Sequence, residues 1–172
     1  MYYLLRDSIY GFAYRMTGET GVAEDITQEV FVFLVENPRK YDPERGSLFS
    51  FLCGVARNRV LNHLKKSGTR LESNFSEPGG LENRPKGGER SPLRLLLDKE
   101  IAAKVEDGIQ NLSPFQREVL LLREMEELSY EEIAEITRTD VGVVKGRLYR
   151  ARRALAEELA PYLKEECVYE LH

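Results

Sequence analysis

The stretch SYEEIAEITRTDVGVVKGRLYRARRAL, residues Ser129 to Leu155, decides how the chain folds. It reads as two helices joined by a short turn. Ser129 and Glu132 form an S-x-x-E capping box, which satisfies orphan N–H groups at a helix start. Ile133, Ala134 and Ile136 give the first helix its apolar side, Thr137 to Thr139 make the turn, and Asp140 stands where it can cap the second helix. Val141, Val144, Leu148, Ala151, Leu155 and Leu159 then recur every three or four residues, a stripe that asks to be buried. The opposite face carries Lys145, Arg147, Arg150, Arg152 and Arg153. A short helix, a tight turn and a longer basic helix make a helix-turn-helix, whose second helix enters the DNA major groove. The plainer alternative is a surface hairpin whose arginines are merely solvated.

Working outward, every other patterned segment is also helical. On the N-terminal side, Ser113-Pro114 opens a helix: Ser113 reads as its cap, Pro114 as its first residue and Gln116 as the second half of a capping box. Before it, Leu96, Leu97, Ile101, Val105 and Ile109 are spaced for a core face. At the start of the chain, Leu5, Ile9, Phe12, Ala13 and Met16 share one helical face that Thr17-Gly18 ends. Thr20 reads as the cap of a second helix, with Val22, Ile26, Val30, Phe31 and Leu34 inward and Glu24, Asp25, Gln28 and Glu29 outward, stopped by Asn37-Pro38. A third runs from about Leu48 to Lys66. The chain from Pro161 on, PYLKEECVYELH, reads as a tail.

Between the two helical groups lies SGTRLESNFSEPGGLENRPKGGERSP, residues 67–92, rich in Gly, Pro, Ser and charge. Such a segment cannot bury enough apolar surface to offset its own ordering entropy. The expected architecture is therefore all-α: a helical domain over 1–66, a flexible linker over 67–92, a second helical domain over 93–164 and a tail over 165–172.

The net charge of −4 argues at first against a nucleic-acid partner. Its distribution argues the other way. Arg57, Arg59, Lys65, Lys66 and Arg70 fall in a stretch with no acid, and a second basic island covers the helix-turn-helix, while the rest of the chain is acidic. Two basic islands on an acidic chain suggest DNA contact at two places and weak binding by either alone. Cys53 and Cys167 are too far apart in sequence to suggest a metal site or a disulfide framework, and a reducing cytoplasm is the simplest setting. The first residues show no signal peptide, and no run is long enough to span a membrane. The two histidines, His63 and His172, are isolated. With no phosphate loop, ligand spacing or nucleophile motif, the sequence points away from an enzyme, a metal or a cofactor.

Two further blocks carry a resemblance. AEDITQEVF (Ala23 to Phe31) with SLFSFLCGVARNRVLNHLKK (Ser47 to Lys66) resembles region 2 of bacterial sigma factors. LSPFQREVLLL (Leu112 to Leu122), followed by the helix-turn-helix, resembles region 4. With only a linker between them, the chain resembles the extracytoplasmic-function (group 4) sigma factors. That resemblance implies a protein that binds core RNA polymerase, directs it to promoters and helps melt them, under the control of an anti-sigma factor. It places Asp25, Gln28 and Glu29 against the polymerase clamp helices and the region-4 part at the flap. Tyr41, Phe49, Arg57, Asn58, Arg59, Lys65 and Lys66 fall on the minus-ten reader. Val143, Lys145, Gly146, Arg147, Arg150 and Arg153 fall on the minus-thirty-five reader, with Arg152 and Arg153 as backbone clamps or solvated charges.

The sequence departs from the family pattern at seven positions. Phe51 stands where the family usually has Trp, Asn62, Lys65 and Lys66 where it often has Asp and paired Arg, Arg138 where a turn Gly is common, and Val143 and Gly146 where Thr or Ser are common. Arg138 in a left-handed turn would be slightly strained. In related proteins the linker threads toward the polymerase cleft, and Glu72, Glu77, Glu82 and Glu89 either mimic nucleic acid there or belong to a passive tether. The competing function is a stand-alone helix-turn-helix regulator, which would dimerise and bind DNA unaided.

Overall fold

Seven α-helices and one short 3₁₀ turn follow each other in the computed structural model, which describes residues 2–69, 71 and 92–169. The helices are α1 (Tyr2–Thr17), α2 (Thr20–Glu36), α3 (Leu48–Lys66), α4 (Pro92–Asn111), α5 (Pro114–Glu124), α6 (Tyr130–Thr137) and α7 (Val141–Tyr169), with the 3₁₀ turn at Pro38–Lys40. Regular structure among the described residues is all helical. The acidic residues of the linker lie outside the described residues, as does the Cys167 side chain.

Local chemistry explains most of the boundaries. α1 ends where Gly18 takes a left-handed φ of 73° and its N–H reaches the Tyr14 carbonyl at 2.7 Å. Asn37 stops α2 twice over, its backbone N–H and its Nδ2 both donating to the Phe33 carbonyl, and Pro38 prevents a restart. Ser47 caps α3 by accepting from the Ser50 N–H at 3.1 Å. The expected box at α6 is complete. Ser129 Oγ accepts from the Glu132 N–H, and Glu132 Oε2 accepts from the Ser129 N–H at 2.8 Å.

Three expectations at helix ends are corrected. The residue at the N-cap of α2 is Glu19, with no side-chain capping bond, and Thr20 already lies inside the helix. Ser113 has extended cap geometry but makes no capping bond, so α5 begins on the preset φ of Pro114 alone. α7 continues through Pro161 to Tyr169, where a tail was expected. A proline inside a helix removes one backbone donor and crowds the carbonyl four residues back, so α7 carries a local cost at Pro161.

α1, α2 and α3 pack on one another around Ile9, Phe12, Met16, Val30, Leu52 and Val60, all buried. α5, α6 and α7 enclose Val119, Leu121, Leu122, Ile133, Val144 and Leu148. The two sets join: α1 packs on α4 and α5, and α3 packs on α6, so that one apolar core runs through both halves. Arg117 helps fasten the join. Its guanidinium donates to the Ile109, Gln110 and Leu112 carbonyls of its own half and, at 2.7 Å, to the Met16 carbonyl at the end of α1. Burial lowers the pKa of this guanidinium, and four carbonyl acceptors compensate its charge.

Candidate polymerase and nucleic-acid interface

The outer face of α2 is open. Asp25, Gln28 and Glu29 are exposed and line a shallow groove of about 450 Å³ with Val32, Phe33, Glu36 and Arg59. Val35, one turn on from Phe31, is 79% exposed. Exposed carboxylates beside the exposed Val32 and Val35 suit a basic helix that also carries apolar residues. Arg59, expected on the DNA face, stands at the rim of this groove, its Nη1 3.5 Å from Glu29 Oε2 and its guanidinium 6.0 Å from the Phe33 ring centroid. Lys40 also lies over Phe33, at 4.9 Å.

The region around α3 divides its expected residues among three directions. Tyr41 and Phe51 face each other with ring centroids 5.6 Å apart, and Phe51 continues to Phe33 at 6.5 Å. Asn58, seven positions after Phe51, lies on nearly the same side of the helix and is exposed, as are Lys65 and Lys66. Phe49 points away from this group. It lies nine positions before Asn58, about half a turn out of phase at ~100° per residue. It lines a second shallow groove with Leu4, Leu5, Ser8 and Met125. Arg57 is buried and makes a bidentate pair with Glu118 of α5, Nε to Oε2 at 2.6 Å and Nη2 to Oε1 at 3.1 Å.

The helix-turn-helix is built as the sequence suggests. Arg138 takes φ 54°, ψ 46°, the left-handed conformation that the turn requires. Its N–H returns to the Glu135 carbonyl, and that of Thr139 to Ala134. Along α7, Lys145 is exposed and leans over the Tyr130 ring at 5.3 Å, with Arg123 over the same ring at 4.6 Å. Val143 is half-buried and Gly146 buried. Arg147 is buried, its guanidinium 4.8 Å from the Phe115 ring centroid and its Nη1 3.6 Å from Glu118 Oε1. Burial lowers the Arg147 pKa, and the Glu118 charge opposes that shift. Arg150 is half-buried, with Nε covered and without a protein partner. Arg152 pairs with Glu124, and Arg153 with Glu157 one turn on at 3.0 Å.

Two residues escaped the sequence reading. Tyr149, one turn after Lys145, is 45% exposed and extends the open side of α7. The i, i+4 spacing from Lys145 is the signal that could have found it. Glu118 is fully buried between Arg57 and Arg147. Burial pushes its carboxyl upward, while the hydrogen bonds from Arg57 and the charges of both arginines pull the other way. Its signal is an acid on the same helical side as Leu121 and Leu122, which an amphipathic helix reserves for its core.

Cys53 is a buried core residue whose thiol is raised by burial and by the nearby Glu126 and Glu132 carboxylates, so it stays protonated. No group of His, Cys, Asp and Glu suited to a metal is found among the described residues. No described helix is long and apolar enough to cross a membrane.

The chain joins a three-helix unit with an open acidic face to a unit carrying a capped helix-turn-helix, a motif of DNA-binding proteins. Family profiles make the class specific: Sigma-70 region 2 matches residues 1–70 and Sigma-70 region 4 matches residues 102–155. The RNA polymerase sigma-H factor of Pseudomonas aeruginosa is 34% identical over 91% of this chain and 83% of its own length. The ECF RNA polymerase sigma-E factor of Escherichia coli is 32% identical over 84% of this chain and 78% of its own. The ECF RNA polymerase sigma factor SigE of Mycolicibacterium smegmatis is 29% identical over 92% of this chain, which spans 60% of that relative's length. The chain belongs to the ECF family of RNA polymerase sigma factors. The fold agrees with that of a sigma factor RpoE solved in complex with the anti-sigma factor NepR from Bartonella quintana, at a TM-score of 0.67 and 23% identity over 91% of this chain and 92% of that one.

Proposed function

We propose that this chain binds core RNA polymerase and directs it to promoters, with α2 as the docking face, α3 as the minus-ten reader and the start of α7 as the minus-thirty-five reader. The observation that carries the reading is the order of the parts. An exposed Asp25–Gln28–Glu29 face and a capped helix-turn-helix occupy the two sigma regions of one chain. Carboxylates and an amide form charge-assisted hydrogen bonds to a basic clamp helix. Region 4 meets the flap in the same assembly.

At the minus-ten element, Tyr41 and Asn58 supply an aromatic surface and an amide for an unstacked base. Phe49 lies about half a turn from Asn58 on α3 and does not share that surface. Arg57, Arg59, Lys65 and Lys66 track phosphates. At the minus-thirty-five element, Val143, Lys145, Gly146, Arg147 and Arg150 approach the groove, with Arg152 and Arg153 as backbone clamps or solvated charges. With few hydroxyls near the groove, specificity leans on Lys145, Arg147 and DNA shape.

The units on this reading are 1–66 and 93–164, with 67–92 between them and 165–172 as a tail. The factor works in the cytoplasm beside polymerase, supplies no chemistry of its own, and is held in check by an anti-sigma factor that covers the polymerase-binding faces. Transcription with purified core polymerase on a promoter library tests the reading. It predicts start-site-specific transcripts that need this chain and share a minus-ten and a minus-thirty-five sequence. Transcripts independent of the chain would overturn it.

A further inference from the structure

Lys145 stands on the open side of α7, yet its charge is held by a ring on another helix. A lysine carries its ammonium on a long flexible stem, so an unsupported one samples many rotamers. Helical side chains lean toward the N-terminus of their helix, over the residues one turn back. Three places before Lys145 that residue is Gly142, exposed and with nothing within 4 Å of where a Cβ would stand. The support comes from α6 instead. Lys145 Nζ lies over the Tyr130 ring, 5.3 Å from its centroid. A cation over an aromatic face is attracted by the ring quadrupole.

The ring is fixed in turn. Tyr130 is the first residue of α6, directly after the Ser129 cap whose box with Glu132 sets the helix start. Its ring is half-buried and packs against the apolar core. The Arg123 guanidinium lies 4.6 Å from the same centroid, and its Nη1 donates to the Leu128 carbonyl at 2.9 Å. A line of contacts thus runs from a loop carbonyl through Arg123 and the Tyr130 ring to the Lys145 ammonium.

We propose that Tyr130 is a positioning residue of the minus-thirty-five reader, its ring holding the Lys145 ammonium ready for the groove. The ring acts through Lys145, and the ordering of that long side chain is met before DNA arrives. This rests on the reading of the start of α7 as the minus-thirty-five reader. It adds a residue of the first helix of the motif that sets base preference by holding a neighbour, and it assigns that role to the ring face rather than to the hydroxyl.

Two measurements on the full-length chain test it. In the NMR spectrum of labelled lysines, the Lys145 ε-methylene signal is identified by its loss in Lys145→Ala. The Tyr130 ring current is expected to displace it upfield, and the displacement should vanish in Tyr130→Leu and persist in Tyr130→Phe. The second measurement is transcription with core polymerase from promoters varied at each minus-thirty-five base. Tyr130→Leu is expected to lower output from the preferred sequence by about fivefold. It should flatten the same base preference that Lys145→Ala flattens, whereas Tyr130→Phe keeps both. In a Lys145→Ala chain, Tyr130→Leu should bring no further loss. A tyrosine that only packs would lower all promoters alike and add to Lys145→Ala.

Should Tyr130→Leu fail to fold, Tyr130→pentafluorophenylalanine keeps an apolar ring while reversing its quadrupole, and should reproduce the loss. An undisplaced Lys145 signal in the wild-type chain, an additive double variant, or unchanged base preference with the fluorinated ring overturns the proposal. A displaced, Tyr130-dependent signal with transcription indifferent to the minus-thirty-five sequence overturns the reading of α7 instead, so the two failures are separable.

Discussion

The outer face of α2 and the seam between α3, α5 and α7 carry the same kind of chemistry in opposite settings. Both are built from carboxylates and guanidiniums. On α2, Asp25 and Glu29 stand in water with Arg59 loosely at their rim, 3.5 Å from Glu29 and about half exposed. At the seam, Glu118 and Arg57 exclude water and meet at 2.6 Å. A water-exposed pair contributes little to stability but is free to bind elsewhere. A buried pair is expensive to break from one side and unavailable while it holds. The difference teaches that burial, rather than residue type, decides which charges act in the isolated chain and which wait for a partner.

The contrast yields a graded set of expectations. The largest is at the seam: Glu118→Ala strands two buried guanidiniums and should cost about 3–5 kcal/mol of stability in urea unfolding. A cost below about 1 kcal/mol would show that the seam is wet or already open. Next is the open face. Asp25→Lys should weaken core-polymerase binding by about 2 kcal/mol or more in a titration, with the melting temperature nearly unchanged. Retained affinity would remove α2 as the docking face. Smaller is the groove-side contact: Lys145→Ala should lower minus-thirty-five-dependent transcription by an amount worth about 1–3 kcal/mol and alter base preference there.

The smallest concerns the capping box, which is half-exposed and so lies between the two extremes. Ser129→Ala should cost about 1 kcal/mol of stability. The Ser129 backbone N–H, above all, holds the Glu132 carboxyl below its ordinary range, and the hydroxyls of Ser129 and Ser50 add to the effect. A depressed folded pKa means that this contribution is present above the ordinary carboxylate range and is lost as the pH falls through the lower folded value. Glu132→Gln should therefore flatten that part of the acid-unfolding curve, which stability measured against pH will show.

Much of this was legible in the sequence, and the failures share a cause. The helices, the Ser129–Glu132 box and the left-handed Arg138 follow from spacing and turn chemistry, which are local. The caps expected at Thr20 and Ser113 fail because a capping residue is a propensity: Thr20 already lies inside α2, and Ser113 has cap geometry but makes no side-chain bond. Exposure of Asp25, Gln28 and Glu29 follows from helical phase. The burial of Arg57 and Arg147 does not, because their shared partner Glu118 lies 61 positions from Arg57. An acid on an apolar helix face was the one visible sign that a buried cation awaited it.

The central claim is that this chain grips promoter DNA as part of a polymerase assembly. Footprinting on a promoter fragment, with the chain alone, core alone and both together, tests it most directly. The account predicts joint protection of the minus-thirty-five and minus-ten regions only when both are present. Equal protection by the chain alone, in the manner of a free helix-turn-helix regulator, would contradict it.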